Sequence, residues 1–119
     1  MQQDSTDETK IKLRLEYAAP LVLGPGKADL LERIDRLGSI SAAGREMGMS
    51  YKRAWSLVEE MNTAFAQPVV DSSRGGSGGG GAVLTDQGRR MLEHYRALED
   101  VLRRQGADHL AALTAMLRD

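Results

Sequence analysis

Alternation of apolar and polar residues near the amino terminus predicts a half-buried strand. From Ile11 to Tyr17 every second residue is apolar, and the residues between them are charged. Successive side chains of a strand point to opposite faces, so this pattern is typical of a strand with one face on a core. Residues 1–10 are polar and acidic, and we expect them to form a disordered tail.

Helical spacing begins after the second proline. Pro25 suits the first position of a helix, where its missing N–H costs nothing, and Gly38 is a natural left-handed terminator. Between them, apolar residues recur three and four positions apart, as on the buried face of a helix. These residues are Leu30, Leu31, Ile34 and Leu37.

A pair of helices joined by a tight turn is predicted between residues 37 and 65. Ser41 is expected to cap the first helix, Gly48 to end it and Ser50 to cap the second. The first helix carries on one face Ala42, Ala43 and Met47. The second repeats apolar residues at helical spacing, which predicts a stripe facing a core. This stripe contains Ala54, Val58, Met61 and Phe65, with Leu57 alongside.

The solvent side of the second helix carries polar and basic residues in its first two turns. They are Tyr51, Lys52, Arg53 and Ser56. A helix-turn-helix unit offers such a face to the major groove of DNA. An ordinary solvated surface is the alternative, because charged side chains usually mark exposed positions. We expect Trp55 to be buried against the helix at 25–37.

Two apolar stretches around a glycine-rich segment predict a β-hairpin after this helix. Pro68 is expected to stop the helix, and residues 69–73 and 82–85 to form the two strands. The loop R-G-G-S-G-G-G-G lacks the G-K-[ST] of a P-loop and precedes a strand instead of a helix. A flexible linker is another interpretation, but the apolar flanks favour a hairpin. Helix, turn, helix and hairpin is the order of a winged helix-turn-helix.

The last part of the chain predicts a long helix capped by Thr85 and Asp86. Gly106 is expected to break or bend it, and Asp108 to cap a short final helix. The apolar residues are spaced like a coiled-coil seam, which requires a partner. The alternative is that these residues pack on their own domain. The apolar pattern runs along more helix than a small domain can cover, so we favour homodimerisation. The interface residues would be Met91, Tyr95, Leu98, Leu102, Leu110 and Leu113, with Leu117 extending the pattern.

Several strings of this sequence resemble the amino-terminal DNA-binding domain of the ModE family of molybdenum-responsive transcriptional regulators. They are S-I-S-A-A-G-R-E-M-G-M-S-Y-K-R-A-W, E-M-N, R-G-G-S-G-G-G-G-A-V-L-T and G-R-R, within about residues 24–100. The resemblance implies a mainly α fold with a small β-sheet, of the LysR-like winged helix-turn-helix class. That domain would occupy 11–85, with its wing at 69–85 and dimerisation helices at 86–119.

The resemblance also implies a homodimer that binds palindromic promoter DNA in molybdenum-related gene control. Arg53 is the expected reader of bases, and the wing is expected to touch the phosphate backbone. The expected DNA-binding residues are Ser50, Tyr51, Lys52, Arg53, Ser56, Arg74, Gly75, Gly76 and Ser77. Familiar ModE proteins continue into two small β-barrel domains that bind molybdate and tungstate, whereas this sequence ends at Asp119. Neither oxyanion is therefore expected to bind this chain, and no cofactor is expected.

Composition narrows these interpretations. A chain of 119 residues fits one domain, and the absence of cysteine excludes disulfides and thiolate metal sites. With a net charge of -1, the chain lacks the overall basic character of a nucleic-acid-binding domain. The basic residues nevertheless concentrate in the proposed binding region, at Arg45, Lys52, Arg53, Arg74, Arg89 and Arg90. With no apolar leader and no apolar run of membrane length, a cytoplasmic protein is expected.

Catalytic chemistry is not expected. His94 and His109 are the only histidines and are fifteen positions apart, so surface positions are expected for both. Glu59 and Glu60 are adjacent and point about 100° apart around a helix, which suits solvated charges better than an acid–base pair. We predict no enzymatic activity and no metal site. Two other functions stay open: a protein-interaction module using the carboxyl-terminal helices, and direct binding of an oxyanion at a helix terminus or glycine-rich loop.

Overall fold

The computed structural model describes residues 9–18, 20–72 and 81–118. Within these ranges the chain forms five helices and two separate two-stranded antiparallel sheets. This confirms the expected mainly α fold with a small amount of sheet. Most of the predicted tail and the tip of the predicted hairpin, residues 73–80, lie outside the described residues.

The first sheet joins β1 (Leu15–Tyr17) to β2 (Leu21–Leu23). Burial alternates along the chain from Ile11, as predicted, but only the last three residues of that stretch form a strand. Tyr17 is 45% exposed, so the predicted inward face ends before it. Both ends of β2 are buried, and β2 therefore supplies the part of this sheet that enters the core.

Helix α1 (Pro25–Leu37) has the predicted bounds. Pro25 begins the helix, and Gly38 ends it with a φ of 71°, a left-handed conformation that glycine adopts without steric strain. The helix lies at the centre of the fold and packs against the other long helices. Its buried residues are Ala28, Leu30, Leu31 and Ile34.

Helix α2 (Ile40–Glu46) begins earlier than predicted. Its cap is Ser39, whose Oγ accepts a hydrogen bond from the Ala42 N–H at 3.0 Å, so the expectation of Ser41 as cap was wrong. Ser39 and Ser41 lie on either side of Ile40, and each has a hydroxyl that can cap a helix. Ile40 is 5% exposed, and the cap at Ser39 includes this residue in the helix and turns it into the core.

Helix α3 (Tyr51–Ala64) confirms the predicted cap, because Ser50 Oγ accepts from the Arg53 N–H at 3.0 Å. The turn before it contains Gly48 with a φ of 75°. The helix ends four residues before Pro68, so proline does not directly stop it. The chain then returns along the helix to form the second sheet.

The second sheet pairs β3 (Val70–Asp71) with β4 (Val83–Leu84), which confirms the predicted hairpin pairing. Helix α4 (Asp86–Gln105) follows, and the predicted cap at Thr85 is confirmed. Gly106 separates α4 from α5 (Ala107–Ala115), also as predicted.

The expected cap at Asp108 was wrong. Gly106 occupies the cap position of α5, and Asp108 lies in the first turn without a capping hydrogen bond. No helix in the described part of the chain has the length and apolar character needed to cross a membrane.

Candidate nucleic-acid interface

Two small residues bring α2 and α3 into close contact. A Cβ atom placed on the buried Gly44 would lie 2.8 Å from the Cβ of Ala54. The turn between the helices is closed by a hydrogen bond from the Met49 N–H to the Gly44 carbonyl oxygen at 2.9 Å. This close packing fixes the direction of α3 and hence of its first two turns.

The residues expected to contact DNA at the start of α3 are all exposed. They are Ser50, Tyr51, Lys52, Arg53 and Ser56. The opposite stripe is buried as predicted, with Ala54, Leu57, Val58 and Met61 in the core and Phe65 half-buried. Helix α3 thus has an apolar side on the core and a polar side in solvent.

Arg53 does not lie opposite the buried stripe, contrary to expectation. Each residue advances about 100° around a helix, which places Lys52 and Ser56 on the outermost side and Arg53 on a flank. Arg53 lines a groove of about 280 Å³ at the start of α1, together with Arg14 and Lys27. Lys52, rather than Arg53, therefore points most directly away from the core.

The expectation that Trp55 is buried against α1 was also wrong. Trp55 is 36% exposed and Tyr51, one turn earlier, is 57% exposed. Ala54 and Val58 occupy the side of α3 that faces the core, and Trp55 lies about 100° away from Ala54. Trp55 therefore lies beside the buried stripe of α3 and not within it.

Most basic side chains of α1 are paired within the chain. Lys27 lies 3.1 Å from Glu60, and Arg33 lies 3.0 Å from Glu46. Glu46 also accepts from Arg36, and this hydrogen bond lowers the pKa of the Glu46 carboxyl. These pairs connect α1 to the two helices of the candidate interface.

Lys52 and Arg53 form no ion pair with another described residue. Arg89, expected in the binding region, instead lies 2.9 Å from Asp35, so its charge is already compensated. The uncompensated positive charge of α3 is therefore at its amino-terminal end, the end that the sequence predicted to meet DNA.

The base of the hairpin is held beside α3. Asn62 Oδ1 accepts from the Val69 and Val70 N–H groups at 2.8 and 3.2 Å. Immediately before β4, the Ala82 N–H donates to the Gly38 carbonyl oxygen at 3.0 Å. The expected wing contacts at Arg74, Gly75, Gly76 and Ser77 lie outside the described residues.

Tyr95 belongs to the core of its own chain. Its side chain is 3% exposed, and its hydroxyl donates to the Leu13 carbonyl oxygen at 2.7 Å. Burial raises the pKa of this hydroxyl. Its expected place in a dimer interface was therefore wrong, since the side chain is already covered within the chain. Met91 is half-buried against the same core.

Beyond Tyr95 the apolar stripe of α4 is only partly covered within the described chain. Leu98 and Leu102 are 40% and 38% exposed, and Val101 between them is 43% exposed. On α5, Leu110 is half-buried and Leu113 is 62% exposed. The exposed apolar residues Val101 and Met116 were not predicted to belong to this surface. Each follows a predicted interface residue, Leu98 or Leu113, by three positions, and this helical spacing could have indicated them.

Arg96 fixes the direction of α4 relative to α1. It lies 2.8 Å from Asp29 and also pairs with Glu32, both on α1, and with Glu99 at 3.1 Å. Burial alone lowers the pKa of Arg96, but the hydrogen bonds to these carboxylates outweigh it and raise that pKa. The guanidinium stays charged and joins α4 to α1 through Asp29 and Glu32.

Both His94 and His109 are exposed, as expected. No cluster of three or more metal-ligating side chains occurs within the described ranges. In the basic groove at the start of α1, Lys27 and Arg14 are paired with Glu60 and Glu16 at 3.1 and 2.8 Å, which weakens the case for an oxyanion there.

Several known proteins are similar in sequence to this chain. The chain is 38% identical over 94 residues to the DNA-binding transcriptional dual regulator ModE of Escherichia coli (strain K12), covering 79% of this chain and 36% of that protein. It is 51% identical over 77 residues to the molybdenum-pterin-binding protein MopB of Rhodobacter capsulatus, covering 65% of this chain and 28% of that protein. Its homologues are ModE and Mop proteins.

A further ModE relative extends the comparison. The molybdenum transport protein ModE of Azotobacter vinelandii is 41% identical over 88 residues, covering 74% of this chain and 33% of that protein. No protein-family model matches the chain. The chain spans about a third of the length of these ModE and Mop relatives. The names of the three describe regulation, transport or molybdenum-pterin binding.

Proposed function

We propose that the chain is a winged helix-turn-helix module of the ModE type that binds duplex DNA sequence-specifically through the first two turns of α3. One observation carries the proposal: Lys52 and Arg53 are exposed and unpaired with any described residue, whereas Arg33, Arg36 and Arg89 are paired. Cations of this kind are available to phosphates and base edges. Net charge does not decide the matter, because binding depends on the local surface.

The arrangement of elements supports this function. The close contact at Gly44 and Ala54 packs α2 against the first turn of α3, as two helices joined by a tight turn pack in a helix-turn-helix. The hairpin base held by Asn62 lies beside the same helix. Arg74, Gly75, Gly76 and Ser77 are then proposed to contact the DNA backbone from the wing. Similarity to a protein named as a DNA-binding regulator agrees with this assignment.

We further propose that two copies bind together on a palindromic site, with molybdenum-related genes as the target class. Leu98, Val101 and Leu102 form an exposed apolar patch on α4, and α5 has no buried residue. Contiguous exposed apolar surface marks an interaction site. This dimer surface replaces the predicted seam, because Tyr95 is used within the chain.

Leu98→Lys is expected to convert the dimer to monomer at micromolar concentration, since it places an unpaired charge in the apolar contact. Multi-angle light scattering measures the change directly. Leu37→Lys is the matched control, because Leu37 is 37% exposed and Leu98 is 40% exposed, and Leu37 lies on α1. The control should remain dimeric, and a wild-type protein that is monomeric at this concentration would contradict the dimer proposal.

Selection from a random duplex library tests the DNA-binding function. We expect an enriched palindrome, bound at least 10³-fold more tightly than a scrambled duplex, with affinity falling steeply as salt increases. Fluorescence anisotropy with labelled duplexes gives both values. A protein-interaction module would self-associate or bind partners without any preference between the two duplexes, and that result would refute the proposed function.

A further inference from the structure

Two aromatic side chains lie exposed on the proposed reading helix. Tyr51 is 57% exposed and Trp55 is 36% exposed, and one helical turn separates them. Tyr51 thus exposes more than half of its surface and Trp55 more than a third, so both rings present apolar surface to solvent on the same helix. Neither ring is required by the phosphate contacts proposed above.

The pair occupies a defined flank of α3. At about 100° per residue, Tyr51 and Trp55 lie on the side that continues to Asn62, while Lys52 and Ser56 lie on the outermost side. Asn62 binds the returning strand through the Val69 and Val70 N–H groups. The aromatic flank therefore lies between the polar reading side and the base of the hairpin.

The apolar surface of the two rings favours one kind of target in DNA. In the major groove, the apolar group presented by the base edges is the C5-methyl group of thymine. Tyrosine and tryptophan offer a large apolar surface with few rotatable bonds, so ordering them in a contact costs little conformational entropy. The unpaired Lys52 beside them attracts phosphates and favours close approach of a duplex over an apolar protein partner.

We propose that Tyr51 and Trp55 are specificity-determining residues that contact thymine methyl groups in the major groove. The inference rests on the proposed DNA-binding function and adds a stated base and a stated chemical group to it. The preferred site then contains thymine at one or two positions in each half, selected by apolar contact rather than by a hydrogen bond. Lys52 and Ser56 read or hold the neighbouring groups through polar contacts.

Replacement of thymine by deoxyuridine tests the contact, because deoxyuridine lacks only the methyl group and still pairs with adenine. Each thymine of the selected duplex is replaced in turn, and affinity is measured by anisotropy. Burying one methyl group stabilises by about 0.8 kcal/mol, which corresponds to a roughly four-fold loss at each contacted position. Wild-type protein should show this loss at one or two positions per half-site.

Trp55→Ala should bind the thymine duplex more weakly and lose the distinction between thymine and deoxyuridine at one of those positions. Tyr51→Ala should do the same at another position. Trp55→Phe, which retains an aromatic ring, should keep a reduced distinction, and the control Thr63→Ala, exposed farther along α3, should keep the full one. Trp55 is the only tryptophan of the chain, so its fluorescence in the wild type should also change on binding.

The experimental results distinguish the thymine contact from the proposed DNA-binding function. A protein that binds no duplex selectively fails as a DNA-binding regulator. A protein that binds a selected site with equal affinity for thymine and deoxyuridine at every position keeps that function and overturns the methyl contact. Discrimination that persists unchanged in folded Trp55→Ala and Tyr51→Ala also overturns it. The deoxyuridine replacements measured with wild-type protein test the methyl contact even where a variant is unstable.

Discussion

Gly88→Ala is expected to lower the free energy of unfolding by about 2–3 kcal/mol. A Cβ atom at Gly88 would lie 2.1 Å from the Val69 carbonyl oxygen and 2.9 Å from its carbonyl carbon. Both contacts are with backbone, which cannot rotate away as a side chain can. The start of α4 would have to move away from the hairpin base.

The same contact is reinforced by hydrogen bonds, so the displacement would disturb more than one interaction. Thr85 Oγ1 accepts from the Gly88 N–H at 3.0 Å, and the Thr85 hydroxyl donates to the Pro68 carbonyl oxygen at 2.7 Å. The Thr85 N–H also donates to the Val69 carbonyl oxygen at 3.0 Å. Moving α4 lengthens the two bonds from Thr85 to the Pro68 and Val69 carbonyl oxygens and separates the hairpin from the helix.

Urea unfolding followed by circular dichroism measures this effect. Gly26→Ala is the matched control, because Gly26 is also in the first turn of a helix but a Cβ there meets nothing within 4 Å. The control should keep or raise stability, by at most about 1 kcal/mol, since alanine favours helix. Equal stability of the two variants would show that α4 can shift without cost and that the hairpin is not anchored as described.

Lys52→Glu is expected to weaken binding to the selected duplex by about 2–3 kcal/mol, or roughly 30- to 150-fold. Lys52 points away from the buried stripe of α3 and has no ion pair with a described residue, so reversal replaces attraction to DNA by repulsion. The dependence of affinity on salt should become shallower, because fewer counterions are released on binding.

Anisotropy titrations at two salt concentrations measure both effects. Lys12→Glu is the control, since Lys12 is exposed and precedes β1, outside the candidate interface. An equal loss in the two variants would indicate a general effect of net charge and would remove Lys52 from the reading surface. Because Arg53 lies on a flank, its reversal to glutamate should cost less than reversal at Lys52.

Helix and hairpin boundaries were largely predictable because their signals are local. Pro25, Gly38, Ser50 and Thr85 act on backbone groups within a few residues, so a cap or terminator can be recognised without the rest of the fold. Ser39 shows the limit of this approach. Two serines had the right chemistry, and burial of Ile40 in a core made by other elements decided between them.

The candidate site was predictable as a set of residues but not in its orientation. Apolar spacing correctly divided α3 into a buried and an exposed side, because both sides follow from one helical period. The place of Arg53 beside the start of α1 depends on how two distant segments pack. The exposure of Trp55 likewise depends on what lies next to that side of α3, which hydrophobicity alone does not specify.

The amino-acid sequence by itself determined the order of the helices and of the hairpin that precedes α4, the principal helix caps and the apolar stripes of the helices. Those properties arise from backbone geometry and side-chain spacing within one segment. Only the tertiary structure decided what each stripe meets. On α4 one continuous stripe divides at Tyr95, which is covered by the segment containing Leu13, whereas Leu98 and Leu102 are left exposed. Periodicity defines a face but not its partner, because the partner comes from residues far away in the chain.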